Sequence, residues 1–181
     1  MKIEQRELAK VFGRDGLLGD VAEVGVSAGE SAEDIMEYFK GKTIHLFDTF
    51  NGIPKTCIPE IDGGYKGGEH FDAPLSKVIE RFKPHDNVKI YPGFFPDTAE
   101  PIKDLKFCFV NIDVDICRST KDCWEFFYPR MIKGGVIHIQ DDYPGLPGVK
   151  KATDEFLSDK PEKLKHLPKD YRQQAVYITK Q

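Results

Sequence analysis

Acidic residues stand in pairs at the ends of two apolar runs. Ile112-Asp113-Val114-Asp115 closes the run that begins at Phe107, and Gln140-Asp141-Asp142-Tyr143 follows Gly135-Val136-Ile137-His138-Ile139. If the first run is a strand that persists, its period of two puts Asp113 and Asp115 on one face. Neighbouring strands lie about 5 Å apart, so four carboxylates can converge at one sheet edge. Like charges that close require a cation or raised pKa values. Carboxylate oxygens with no clustered His or Cys suit Mg²⁺ or a similar hard ion over zinc. The plainer reading makes each acid a turn or cap residue: Asp142 precedes Tyr143-Pro144, and Asp115 stands before the loop to Ser119.

A second group of residues follows another apolar run. Glu23-Val24-Gly25-Val26-Ser27-Ala28-Gly29-Glu30-Ser31 is rich in small residues, which let a backbone turn tightly and approach a ligand ahead of a helix N-terminus. Asp48 stands 25 residues beyond Glu23, about where an acidic side chain accepts hydrogen bonds from ribose hydroxyls. The pattern is not a full GxGxxG, because Ser27 and Ala28 occupy its centre. It favours a cofactor without a pyrophosphate. S-adenosylmethionine carries a ribose and an amino acid but no phosphate, so it needs carboxylates and backbone groups rather than an anion cradle. A tight strand-to-helix turn with a solvated Asp is the alternative reading of these residues.

The elements that must position these groups alternate. Strands are expected at residues 20–26, 43–47, 88–91, 107–112 and 135–139, with a last alternating one at 174–179. Helices are expected over about 4–12, 30–40, 74–82, 120–131 and 148–157. That order predicts an α/β fold with a doubly wound, mostly parallel sheet, whose ligands bind beyond the carboxyl ends of the strands. Residues 51–74 hold Gly and Pro clusters without a sustained period and read as a long loop, either a functional lid or a disordered segment.

The 181 residues suit a single domain, 1–181. A net charge of −4 with no dense basic stretch gives no general attraction to nucleic acid or an anionic membrane, and neither is expected as a partner. The apolar runs are strand-sized, far short of a membrane span. Charges in Met1-Lys2-Ile3-Glu4-Gln5-Arg6-Glu7-Leu8 argue against export, and Cys57, Cys108, Cys117 and Cys123 form no CxxC pair, so a reduced, cytoplasmic protein is expected.

The ordered set Glu23-Val24-Gly25 with Gly29, Ser31 and Ala32, Leu46-Phe47-Asp48-Thr49-Phe50-Asn51-Gly52-Ile53-Pro54, Gly93-Phe94-Phe95-Pro96-Asp97-Thr98, Ile112-Asp113-Val114-Asp115 with Ser119-Thr120, Tyr128-Pro129-Arg130, Gly134-Gly135, Asp141-Asp142-Tyr143 and Pro147-Gly148-Val149-Lys150-Lys151-Ala152 resembles the macrocin O-methyltransferase (TylF and MycF type) family of class I methyltransferases. The resemblance covers about residues 20–157. It implies a Rossmann-like sheet ending in an antiparallel hairpin, S-adenosylmethionine as methyl donor, and a divalent metal, usually Mg²⁺, holding the hydroxyls of a small-molecule acceptor such as a sugar or polyol. By position it implies that Glu23, Gly25 and Ser31 line the methionine and ribose side, that Asp48 meets the ribose with Thr49 beside it among the cofactor residues, and that Phe94 lies near the adenine. Asp113, Asp141 and Asp142 would ligate the metal and Asp115 would be the general base, although Asp113 and Asp115 could exchange these roles.

Departures from the family pattern are local. Ile116-Cys117 stands where Leu-Tyr is common and Arg118 where an acid is common, so the acceptor is expected to differ from a macrolide sugar. Only about 19 residues precede the first strand, against a longer region in the family, so either the long loop and a partner subunit, as in a homodimer, close the acceptor site, or the pocket is open. Two rival functions share parts of the pattern. A nucleotide-sugar glycosyltransferase would use Asp113-Val114-Asp115 as a DxD metal site but leaves Glu23, Asp48 and the Asp141-Asp142 pair unexplained, and a non-catalytic S-adenosylmethionine-binding module has no need of all four acids. Among the histidines, His138 reads as a satisfied core or crevice residue and His70 as the one placed to reach a substrate.

Overall fold

The computed structural model describes residues 16–55, 60–71, 73–141, 143–166 and 174–181. The helix expected over 4–12 lies outside them. Among the described residues seven strands form, most of them on runs rich in β-branched and aromatic residues: β1 (Asp20–Val24), β2 (Ile44–Asp48), β3 (Val88–Pro92), β4 (Phe107–Ile112), β5 (Met131–Ile139), β6 (Lys165–His166) and β7 (Val176–Thr179). Among the same residues four α-helices lie between the strands: α1 (Glu30–Tyr38), α2 (Leu75–Phe82), α3 (Cys117–Phe127) and α4 (Pro147–Leu157).

The strands form one sheet in the order β3-β2-β1-β4-β5-β7-β6. β1 to β5 are mutually parallel, and β7 runs antiparallel to both β5 and β6. Every residue of β4 is buried, as a central parallel strand covered on both faces must be. Ala32 and Ile35 of α1 and Val78 and Phe82 of α2 pack with Val21, Ile44 and Phe109 on one face. Cys123, Trp124 and Phe127 of α3 and Val149 of α4 pack with Phe107, Val110 and Ile137 on the other. The sheet is therefore doubly wound. Its strand order reverses between β1 and β4, which places the ligand crevice at their carboxyl ends.

Three expectations shift. The helix expected from Thr120 begins at Cys117, because the Asp62 carboxylate accepts the Cys117 N–H at 2.8 Å and satisfies a first-turn donor that the sequence alone left unpaired. The strand expected from Gly135 begins at Met131 and carries Gly134-Gly135 within it, with a register irregularity against β4 between Phe107 and Phe109. The described part of the 51–74 loop is ordered. Its ends are tied by Ile53 N–H to Glu69 O at 3.0 Å and Gly68 N–H to Ile53 O at 2.8 Å, and it contains a 3₁₀ turn at Glu60–Asp62. Asp62 also lies against α4, where a Cβ on Gly148 would sit 1.7 Å from its Oδ1. The loop is thus anchored between the N-terminal ends of two helices. No helix among the described residues is long and apolar enough to cross a membrane.

Candidate active site

The pocket at the switch point is lined on one side by Val24, Gly25, Asp48, Thr49 and Phe94, and on the other by His70, Asp113 and Asp115. Gly25 has a φ of +89°, and a Cβ there would lie 1.8 Å from the Asp113 carbonyl oxygen, so only glycine lets the β1–α1 turn pass this close to the end of β4. Asp48, at the end of β2, accepts the N–H groups of Val26 at 2.8 Å and Ser27 at 2.9 Å on Oδ2, and that of Phe50 at 2.7 Å on Oδ1. It shapes the glycine-containing turn as well as lining the pocket. Thr49 donates to Gly52 O at 2.8 Å and folds the chain entering the long loop.

Glu23 and Ser31 are not in the pocket wall. Glu23 is fully buried beneath it, where Asn111 Nδ2 donates to its Oε1 at 2.7 Å and its Oε2 has no hydrogen-bond partner among the described residues. Burial pushes its carboxyl up to about 8, against the pull of the Ser31 hydroxyl and the Asn111 amide.

On the acidic side, Asp141 is 1% exposed, accepts the backbone N–H groups of Val114 at 3.1 Å and Asp115 at 3.2 Å, and stands in hydrogen-bond contact with the Asp113 carboxyl. Burial, and then the neighbouring Asp113 and Asp115, hold its carboxyl well above the usual range. Gln140 Nε2 donates to Asp113 Oδ2 at 2.7 Å. Asp142 lies outside the described residues. Among those described, no three His, Cys, Asp or Glu side chains are gathered to hold a metal ion. The chemistry of the donor set still fits a hard divalent cation: two carboxyls in contact, one buried, carry oxygen ligands and a concentration of negative charge that a cation relieves.

Asp115 has a φ of +63°, which the two bonds from the Val114 and Asp115 amides to Asp141 hold in place. The long loop reaches its carboxylate from two sides. Tyr65 OH donates to Oδ1 at 3.2 Å, and His70 Nε2 lies 3.8 Å from Oδ2. Tyr65 belongs, with Lys66 and Phe71, to the stretch read from the sequence as a possible lid, but nothing in that Gly-rich stretch tells that Tyr65 folds back over an acid 50 positions away. Asn111 and Gln140 were missed as site residues for the same reason, although polar side chains at the inward positions of apolar strands were the available signal.

The family model for macrocin O-methyltransferase (TylF) matches residues 3–178. The chain is 30% identical over 159 residues to a mycinamicin III 3''-O-methyltransferase of Micromonospora griseorubida, covering 79% of this chain and 62% of that protein. It is 29% identical over 167 residues to 8-demethyl-8-(2,3-dimethoxy-alpha-L-rhamnosyl)-tetracenomycin-C 4'-O-methyltransferase of Streptomyces olivaceus, covering 78% of this chain and 64% of that protein. The chain thus spans less than two thirds of the length of these curated relatives. Among solved structures, the O-methyltransferase NovP superposes with a TM-score of 0.80 at 24% identity over 97% of this chain and 77% of that one, a likeness of fold. With a family match running almost from end to end over the motifs that build this pocket, the chain belongs to the macrocin O-methyltransferase (TylF) family.

Proposed function

We propose that the protein is an S-adenosylmethionine-dependent O-methyltransferase acting on a hydroxyl of a sugar, a polyol or a related small molecule. One observation carries the reading: a single pocket brings the Gly25 turn, Asp48 and Phe94 against Asp113 and Asp115. The first set can receive a ribose and an amino-acid moiety; the second can activate a hydroxyl. Family membership and a relative named for a rhamnosyl-bearing substrate support the same chemistry, and nothing favours the glycosyltransferase alternative.

In the proposed reaction the acceptor oxygen attacks the sulfonium methyl carbon in line. The carbon–sulfur bond breaks with its electron pair going to sulfur, leaving S-adenosylhomocysteine, and the hydroxyl proton passes to the Asp115 carboxylate. The donor already carries a good leaving group, so what the chain supplies is alignment and charge placement. Gly25 lets the donor's turn approach the end of β4, and Tyr65 and His70 cover the base on the loop side. Asp113, Asp141 and Asp142 would hold a divalent cation such as Mg²⁺, which when bound lowers the pKa of a ligated hydroxyl.

Calorimetric titration with S-adenosylhomocysteine, with and without Mg²⁺, followed by a methyl-transfer screen on neutral glycosides, tests the reading. Submillimolar binding and methyl transfer are expected; a chain that binds no S-adenosylhomocysteine overturns it.

A further inference from the structure

Polar side chains lie side by side beneath the pocket in strands that are otherwise apolar. Parallel register sets Glu23 of β1 opposite Asn111 of β4, and Asn111 opposite His138 of β5. Residues opposite one another in neighbouring strands project from the same face, so the three make one transverse row. They are 0%, 1% and 2% exposed, respectively. The row is cross-linked through Asn111. His138 Nδ1 lies 2.7 Å from Asn111 Oδ1, while Asn111 Nδ2 donates to Glu23 Oε1 at 2.7 Å and to Gln140 Oε1 at 3.0 Å. Gln140 Nε2 then donates to Asp113 Oδ2 at 2.7 Å.

Donors and acceptors balance in one arrangement. A carboxamide has two N–H donors on nitrogen and an acceptor oxygen. Glu23 and Gln140 both present oxygens to Asn111, so the amide nitrogen faces them and the oxygen falls to His138. That oxygen is satisfied only when His138 carries its proton on Nδ1, which leaves Nε2 as a buried acceptor with no partner among the described residues. A buried polar atom without a partner costs about 1–3 kcal/mol, a cost that an apolar residue at this position avoids. The observed contact that offsets it is the one to Asn111. His138 thereby fixes which end of the carboxamide points toward β1.

We propose that Asn111, oriented by His138, is a positioning residue that sets Glu23 on the cofactor side and, through Gln140, Asp113 on the acceptor side. One carboxamide then holds the two halves of the pocket in register. This inference rests on the methyltransferase reading for what each half binds. Of this network only Asp113 lines the pocket, so Asn111 and His138 act on the acceptor side through Gln140 and Asp113, and on the cofactor side through Glu23, whose chain neighbours Val24 and Gly25 line it.

The test uses the full chain, titrated with S-adenosylhomocysteine by calorimetry and separately with Mn²⁺ by electron paramagnetic resonance, as a stand-in for the divalent cation. His138→Leu is expected to weaken both ligands at least fivefold. His138→Gln, which keeps an N–H donor, is expected to recover both to within about threefold of the parent chain. Gln140→Leu is expected to weaken Mn²⁺ at least fivefold and leave S-adenosylhomocysteine within twofold, a split that simple loss of packing does not produce. This variant sits at the strand end and keeps the test decisive should His138→Leu fail to fold. Parental affinities in His138→Leu, equal weakening in the Leu and Gln variants, or no split in Gln140→Leu overturns the proposal. If the parent chain binds S-adenosylhomocysteine but no Mn²⁺, the acceptor-side half falls. If the parent chain binds no S-adenosylhomocysteine, the methyltransferase reading itself falls and this inference with it, whereas failure in the variants alone removes only the inference.

Discussion

The Gly25 α-carbon faces the Asp113 carbonyl so closely that a Cβ would sit 1.8 Å from its oxygen, backbone against backbone at the point where the strand order reverses. Both the positive φ and the collision oppose any side chain there. Gly25→Ala is expected to cost at least about 1–3 kcal/mol from backbone strain alone, lowering Tm by about 5 °C or more, and to weaken S-adenosylhomocysteine more than tenfold. Thermal melting and calorimetry on one preparation check both effects.

Glu23 gives stability a definite pH dependence. Its folded-state pKa is raised from 4.5 to about 8, so its contribution is fully present below pH 4.5 and is lost as pH rises through about 8. Glu23→Gln keeps an acceptor for Asn111 and removes the ionisation. The stability difference between parent and variant should therefore move in the variant's favour across that window, by a few kcal/mol. Denaturant melts at pH 5 and pH 8 measure it, and an unchanged difference between the two pH values contradicts the assignment.

Asp62 anchors the long loop through the Cys117 N–H at the start of α3. Asp62→Ala leaves that donor without its partner, at a cost of about 1 kcal/mol, and loosens the loop. Limited proteolysis should then cut within residues 53–69 faster than in the parent chain, while Asp62→Asn, which retains an acceptor, stays close to the parent rate.

Under the proposed mechanism, Asp115→Asn removes the base and lowers kcat by about 10²- to 10⁴-fold with cofactor affinity within a few fold. Tyr65→Phe acts on the same carboxylate from the loop side. The phenol O–H donates to Asp115 Oδ1 and stabilises its charged form, so losing it moves the acid limb of the pH–rate profile to higher pH. A profile that stays in place assigns Tyr65 to loop packing only.

If Asp141 holds the proposed divalent cation, its raised carboxyl makes the proton a competitor of that cation. Mg²⁺ is expected to raise Tm in the parent chain, by more as the pH rises, and to have no effect in Asp141→Asn. A stabilisation of about 2.7 kcal/mol accompanies a cation at a hundred times its Kd. Scanning calorimetry with Mg²⁺ and with EDTA gives the comparison.

Much of the architecture was legible along the chain because its signals are local. The buried runs at Asp20–Val24, Ile44–Asp48 and Phe107–Ile112 are mostly apolar, as central parallel strands are, and the helices between them carry a 3.6-residue period. The acids at 113, 115 and 141 fell at strand ends for the same reason. Boundaries set by distant partners were not legible. α3 starts three residues earlier than its pattern suggested because Asp62, 55 residues away in sequence, accepts its first-turn N–H.

The sequence by itself determined that carboxylates would stand at the carboxyl ends of parallel strands, since alternation of apolar runs and helices is a property of neighbours in the chain. Only the tertiary structure decided which of them meet and what else each one does. It drew Asp48 onto the amides of Val26, Ser27 and Phe50, pressed Asp113 against Asp141, and brought Glu23, Asn111 and His138 into one row across three strands. The physical reason is register. Partners such as Glu23 and Asn111 lie 88 residues apart, and their meeting is fixed by the packing of the whole sheet against its helices, which no local pattern encodes.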